Sequence, residues 1–212
     1  MKDYQKQFLE LALNAKVLEF GDFTLKSGRK SPYFFNAAKM LNGGYLHHLA
    51  ECYKEAIIDA NIAFDCIYGP AYKGIFLGSI VSMILSKDGG EYHLYFNRKE
   101  IKDHGEGGTI IGNNPSGDVL IIDDVISACT AAKESIETIR DLGANPKIML
   151  VGLDRQEKGK SDLSAKKELE TAFKMQVISI IDLDTLISYS QNNAEYEKHL
   201  DNLIAYRDEL GA

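Results

Sequence analysis

The chain has 212 residues, with 24 Lys and Arg against 31 Asp and Glu and a formal net charge of −7 at pH 7. That length suits one domain able to bury most of its apolar surface without a disulfide or metal staple. The acidic balance argues against a dedicated nucleic-acid binder, which carries a basic face. A composition of 45% hydrophobic and 26% charged residues is globular rather than disordered.

Cys52, Cys66 and Cys129 form no C-x-x-C pair, so neither a zinc site nor a disulfide framework is expected, and reduced thiols in a cytoplasmic protein are the simplest reading. The opening MKDYQKQF lacks the apolar core of a signal peptide. The longest greasy run, Ile75 to Leu85, holds Gly78, Ser79 and Ser82 and is too short to span a bilayer, so no membrane partner is expected.

In chain order, Tyr4, Phe8, Leu11, Ala12 and Ala15 recur at helical spacing and predict an amphipathic helix over 3–16. Residues 17–36 change to short alternating runs broken by Gly21, Gly28 and Pro32, which predict small strands and turns. A helical stripe of Leu46, Leu49, Ala50, Tyr53, Ile57 and Ala60 covers 44–60. Ala63–Tyr68 is a short apolar run ending in Gly69-Pro70, followed by a greasy helix over 73–87 and a strand at Tyr92–Phe96. Residues 98–117 are polar and Gly-rich with no apolar period, and predict a loop. Val119–Ile122 predicts a strand ending in Asp123-Asp124, and the next helix carries Ala132, Ile136, Ile139 and Leu142 on one face before Gly143 and Pro146 stop it. A strand at Ile148–Leu153, a helix at 163–174, a strand at 176–181 and a closing helix at 193–210 complete the pattern. Strand and helix alternate from about 62 to 181, which predicts an α/β fold with a central parallel sheet flanked by helices. In such sheets ligands sit beyond the carboxyl ends of the strands.

No G-x-G-x-x-G follows a strand and no G-x-x-x-x-G-K-[ST] occurs. The strongest local feature is VLIIDDVISACTAAKES, residues 119–135, an apolar strand that ends in two acids, then a hydroxyl-bearing turn and a helix start. Free N–H groups at a helix N-terminus suit phosphate, and carboxylates ahead of it suit sugar hydroxyls or water-bound Mg²⁺. The competing reading is a buried strand whose Asp residues merely cap the helix. RKEIKDHGEGGTIIG, residues 98–112, combines Arg98, Lys99, Lys102 and His104 with a permissive backbone; it reads as a lid or as a solvated surface loop. Lys73 opens a helix at a strand end and is either functional or a snorkelling surface lysine. Phe34 and Phe35 are either a ligand platform or core, and Arg155 either contacts a ligand or joins a surface ion pair. His47 and His48 are adjacent on a helix and do not share a face, so they make a poor metal site.

VLIIDDVISACTA resembles the phosphoribosyl pyrophosphate (PRPP) motif of type I phosphoribosyltransferases. FTLKSGRKSPYFFN, YGPAYKGI, FNRKEIKDHGEGGTIIG and GLDRQE extend the resemblance along almost the whole chain and narrow it to the orotate phosphoribosyltransferase family. The resemblance implies that fold, with a single domain over 1–212, residues 1–40 contributing a hood of helix and short strands over the base, and 62–181 forming the core. It implies transfer of phosphoribose from PRPP to orotate, with Mg²⁺ held by PRPP and reached through water by Asp123 and Asp124 rather than ligated directly. The catalytic group it implies is Lys102, Asp123, Asp124, Lys73 and His104. PRPP would meet Lys73, Arg98, Lys99, Lys102 and His104 with its pyrophosphate, Asp123 and Asp124 with its ribose hydroxyls, and Val125, Ile126, Ser127, Ala128, Cys129, Thr130 and Ala131 around its 5′-phosphate. Orotate would lie among Lys26, Phe34, Phe35, Ser127 and Arg155. A homodimer sharing the 98–112 loop across subunits is also implied. A purine-specific transferase and a PRPP-sensing regulator of the same fold are the alternatives; FTLKSGRKSPYFF and DRQE argue against the first, and the lid and the lack of a basic patch against the second.

The family's usual motif reads DDVITAGTA where this chain has DDVISACTA. Ser127 keeps the hydroxyl, whereas Cys129 adds a Cβ where Gly is usual. Activity is expected to survive: Cys129→Gly should change kcat/KM for PRPP by less than about tenfold, roughly 1.4 kcal/mol. A larger gain would mean that the cysteine strains the phosphate turn.

Overall fold

The computed structural model describes residues 1–25, 28–42, 44–87, 89–102, 108–126, 130–159 and 161–211, of which 100–102 and 108 are described by backbone alone. Helix α1, Asp3–Asn14, buries Phe8, Leu9, Leu11 and Ala12, as its apolar stripe predicts. Strands β1, Leu18–Thr24, and β2, Lys30–Phe35, form a separate antiparallel hairpin. A 3₁₀ turn, Ala37–Leu41, follows, with the Asn36 side chain accepting the Ala38 N–H. Helix α2, Leu46–Asp59, then buries Leu49, Ala50, Cys52, Tyr53, Ala56 and Ile57.

The core alternates β3, Cys66–Tyr68; α3, Lys73–Lys87; β4, His93–Lys102; β5, Gly108–Ile111; β6, Asp118–Ile126; α4, Thr130–Asp141; β7, Asn145–Asp154; α5, Ala165–Phe173; and β8, Gln176–Asp182. Helix α6, Leu183–Gln191, and helix α7, Leu200–Leu210, follow. The six-stranded sheet has the order β5-β4-β3-β6-β7-β8 and is parallel apart from the edge strand β5. Side chains alternate across it. Leu120 and Ile122 of β6 face a core shared with α1, α2, α3 and α6, whereas Val119 and Ile121 face α4 and α5. Burial on both faces is why β6 and β7 read as near-continuous apolar runs.

Three elements differ from the sequence reading. The stretch read as a loop from 98 onward is partly an antiparallel ladder, with Phe96 opposite Ile111 and Lys102 opposite Gly108; Gly and charge mask the alternation of a solvated edge strand. Strand β6 continues through Asp123 and Asp124 to Ile126, because β7 pairs with it along that length. Helix α6 is absent from the sequence reading and α7 begins later than 193. Leu183, Leu186 and Ile187 follow VISIID with no Gly or Pro between, so strand and helix merge into one apolar run. The stop between them is chemical: Asp182 accepts the Thr185 N–H at 2.8 Å in a capping box.

The turn between β3 and α3 is set by backbone proximity. A Cβ on Gly74 would lie 2.8 Å from the Ile122 carbonyl oxygen and 2.4 Å from Pro70 Cδ. Alanine gains about 1 kcal/mol of helix propensity over glycine, but overpacking costs about 1–3 kcal/mol. Fixed backbone cannot yield as a side chain can, so the larger figure applies. Gly74→Ala should therefore lower stability in urea unfolding by about 1–2 kcal/mol; an unchanged or raised midpoint would refute the close approach.

Candidate functional site

Strand β3 ends at Tyr68, opposite Ile121, while β6 runs on to Ile126, opposite Asp154 of β7. Beyond Tyr68 the β3 side of β6 is open, at the point where the chain's connections diverge to left and right of the sheet. This is the switch-point crevice of an open α/β sheet, and it holds both paired acids.

Asp124 is 6% exposed, and its carboxylate receives Lys73 Nζ at 2.6 Å from the first residue of α3. Asp123, one residue earlier, points to the other face and is half-buried. Its Oδ1 accepts the Asp124 N–H at 2.9 Å, and its carbonyl accepts the Tyr53 hydroxyl, also at 2.9 Å. Burial first, and the neighbouring Asp124 charge second, push the Asp123 carboxyl up from 3.8 to about 7, against the pull of the Asp124 N–H and Lys73. Burial and the same two carboxylates raise the Tyr53 hydroxyl, so it stays a donor.

Two of the cationic candidates, Arg98 and Lys99, border a cavity of about 400 Å³ lined also by Pro70, Ala71, Ala131 and Thr138 among others. The Asn97 side chain accepts the Ala71 N–H at 2.8 Å and so ties the β3–α3 turn to β4. Lys99 Nζ lies 4.9 Å from the centre of the exposed Tyr72 ring. Val125 and Ile126 pack into the two cores, Thr130 opens α4, and Ala131 is exposed at its first turn. Lys26, His104, Ser127, Ala128 and Cys129 lie outside the described residues, as does the Lys102 side chain.

On the hood side the two phenylalanines part company. Phe35 is buried and stacks on Phe8 with ring centres 6.3 Å apart, whereas half-buried Phe34 stacks on Phe23 at 5.5 Å. Only Phe34 is placed to offer a ring face outside the core. Arg155 does join an ion pair, but a buried one: the residue is 4% exposed. Its Nε donates to Glu157 Oε1 and its Nη2 to Ser31 Oγ at 2.8 Å and Tyr206 Oη at 2.7 Å. Burial favours a neutral Glu157, but Arg155, the Tyr206 hydroxyl and Arg29 together hold its pKa below the ordinary value. Tyr53, Ser31, Glu157 and Tyr206 were not singled out from sequence. Only the i, i+2 opposite charges of Arg155 and Glu157 were visible there.

Among the described residues no group of three or more His, Cys, Asp or Glu is placed to hold a metal ion. Two adjacent carboxylates are the oxygen donors that a hydrated divalent cation takes. Also among the described residues, no helix is long and apolar enough to cross a membrane.

The raised Asp123 pKa has a defined sign. Between about 4 and 7 the folded state holds a proton that the unfolded state has released, so stability falls with rising pH and levels off above about 7. Asp123→Asn should therefore raise the thermal midpoint of the unliganded protein, by an amount that grows from pH 4 to 7 and is constant at pH 8. A gain independent of pH would refute the buried, mutually repelling pair.

No family model matches the chain. A relative from Marinobacter nauticus named orotate phosphoribosyltransferase is 50% identical over 211 residues, covering 100% of both chains. One of the same name from Salmonella newport is 49% identical over 212 residues, again covering 100% of both. The crystal structure of orotate phosphoribosyltransferase from Francisella tularensis superposes with a TM-score of 0.85 at 38% identity, over 97% of this chain and 99% of that one. Full-length identity at that level, on the same fold, leaves one conclusion: the chain belongs to the orotate phosphoribosyltransferase family.

Proposed function

We propose a division of labour for the family's reaction in pyrimidine biosynthesis. In it, the 5-phosphoribosyl group passes from PRPP to N1 of orotate, giving orotidine 5′-monophosphate and pyrophosphate. The observation that carries the reading is the Lys73–Asp124 pair beside Asp123 in the switch-point crevice. Asp123 and Asp124 accept the ribose hydroxyls, and the turn 127–130 with the N-terminus of α4 holds the 5′-phosphate. Lys73, Arg98, Lys99, Lys102 and His104 face the pyrophosphate. As the C1–O bond breaks and its electron pair leaves with pyrophosphate, these cations stabilise the growing charge. The N1–C1 bond forms on the other side of C1. Asp123 and Asp124 would hold a PRPP-borne Mg²⁺ through water, and that cation would supply further charge neutralisation.

The buried Arg155 guanidinium receives the orotate carboxylate. A base without that carboxylate leaves a desolvated cation unpaired, which is the basis for rejecting uracil. Lys26 and Phe34 flank the ring, with Phe35 and Ser127 contributing from the backbone side. Residues 1–40 form the hood over the base within a single domain of 212 residues, and 62–181 form the core. The chain works as a cytoplasmic homodimer in which the 98–112 loop closes over the partner's site and keeps water from PRPP.

Incubation with PRPP, Mg²⁺ and orotate, hypoxanthine or adenine should consume orotate alone, followed by its absorbance and by pyrophosphate release. Turnover of a purine, or none of orotate, would overturn the assignment in favour of a purine transferase or a regulator. Lys102→Ala should lower kcat far more than it raises the orotate KM, since its contact strengthens as charge builds on the leaving group. Mixing it with Asp124→Asn protein should restore activity if the loop acts across subunits; no recovery would place the loop over its own site.

A further inference from the structure

We infer that Glu157 and Tyr206 are positioning residues for Arg155, which makes helix α7 part of the apparatus that selects the base. The inference rests on the reading of Arg155 as the partner of the orotate carboxylate.

A guanidinium has five N–H donors in a fixed plane. In Arg155 three are committed: Nε to Glu157, and both Nη2 donors to Ser31 and Tyr206. Nη1 makes no hydrogen bond among the described residues, yet it is not sealed in, since the buried side-chain atoms lacking a partner are Tyr33 Oη and Ser190 Oγ. One side of the plane is covered as well: Arg155 Cζ sits 4.2 Å from the Tyr33 ring centre and 5.7 Å from that of Tyr206, and the two rings meet edge to face at 5.8 Å. Nη1 is thus the nitrogen left to a ligand, while Nε and Nη2 are committed.

The local backbone explains how two side chains from one turn clasp each other. Gln156 is left-handed at φ 52, and its N–H donates to Asp154 Oδ1 at 2.8 Å, so the chain turns sharply between Arg155 and Glu157. The same turn is stitched to the end of α7, where the Lys158 N–H donates to the Leu210 carbonyl at 2.9 Å and Glu157 bridges Gly211. The Tyr206 hydroxyl donates to Glu157 Oε1 and accepts from Arg155, so it joins both halves of the pair. Charge is balanced to suit an anion. Glu157 also accepts from Arg29 Nη1 at 2.7 Å, so two guanidinium groups share one carboxylate and the trio carries one net positive charge.

The experiment compares orotate KM, PRPP KM, kcat and thermal midpoint for Tyr206→Phe, Glu157→Gln, Arg155→Ala and the Tyr206→Phe/Arg155→Ala double variant. Tyr206→Phe keeps the ring and loses the hydroxyl. It should raise orotate KM about tenfold, as expected for a lost hydrogen bond to a charged group, with PRPP KM changed less than about twofold. Glu157→Gln should show the same orotate-specific rise, and it serves as the probe if Tyr206→Phe fails to fold. Arg155→Ala should raise orotate KM about a hundredfold or more, and adding Tyr206→Phe to it should change orotate KM by less than about twofold, because the hydroxyl acts through the guanidinium. If Arg155→Ala leaves orotate KM unchanged, the role of Arg155 itself falls. If Arg155→Ala has its effect but Tyr206→Phe and Glu157→Gln do not, or if Tyr206→Phe costs as much without Arg155 as with it, positioning is refuted while Arg155 keeps its role. An equal rise in both substrates' KM values would mark a merely structural part and also refute it.

Discussion

A carboxylate that is 6% exposed is tolerable only with a cation against it, and Lys73 at 2.6 Å supplies one for Asp124. That pairing depends on a backbone approach: Gly74 sits so close to the Ile122 carbonyl that α3 begins directly over the end of β6. With a larger residue the helix start would retreat, and Lys73 with it. The residue before Asp124 is set differently: Asp123 is raised first by its own burial and second by the Asp124 charge, with Lys73 pulling the other way. A close glycine contact and an ion pair are therefore consequences of one packing decision after β3, and the perturbed acid beside them owes its state mainly to burial.

The parts of this arrangement that sequence made legible are those where chemistry interrupts a regular pattern. VLII followed by two acids is such an interruption, as is GPAYK after a short apolar run, and both lie at strand ends where an α/β sheet puts its ligands. The paired β6 and β7 are buried on both faces and advertise themselves by composition alone. Helix α6 is hidden for the opposite reason: no Gly or Pro separates Val177 from Ile187, and the Asp182 cap reads equally well as a strand-end acid. The β4–β5 ladder is hidden because Gly and charge dominate the arm, although Tyr95 and Ile110 of it pack on the core.

Tyr53 and Tyr206 illustrate a deeper limit. Periodicity assigns Tyr53 to the core and says nothing of Tyr206, yet both rings are in the core, at 1% and 5% exposure. What it cannot register is that the hydroxyl at the far end reaches the crevice backbone in one case and the Arg155–Glu157 pair in the other. An amphipathic side chain with an apolar body and a polar tip carries two roles in one position, and an apolar stripe such as that of α2 reveals only the first.

The two halves of the site are built on opposite electrostatic terms. Lys73 and Lys99 are long side chains near the surface, Lys73 39% exposed while paired with Asp124 and Lys99 drawn to the Tyr72 ring. Such groups suit a highly charged ligand whose own charge supplies much of the binding free energy. Arg155 is buried, hydrogen-bonded on three donors and packed against the Tyr33 ring, so its desolvation is met during folding rather than on binding. A buried pair of this kind contributes little net stability over apolar packing, and breaking it by removing one partner costs about 3–5 kcal/mol. Its retention makes sense as a device for direction. On the proposed reading, a guanidinium held on three donors distinguishes a carboxylate in one position from the same charge anywhere else, which an exposed ammonium with freely rotating donors does less sharply.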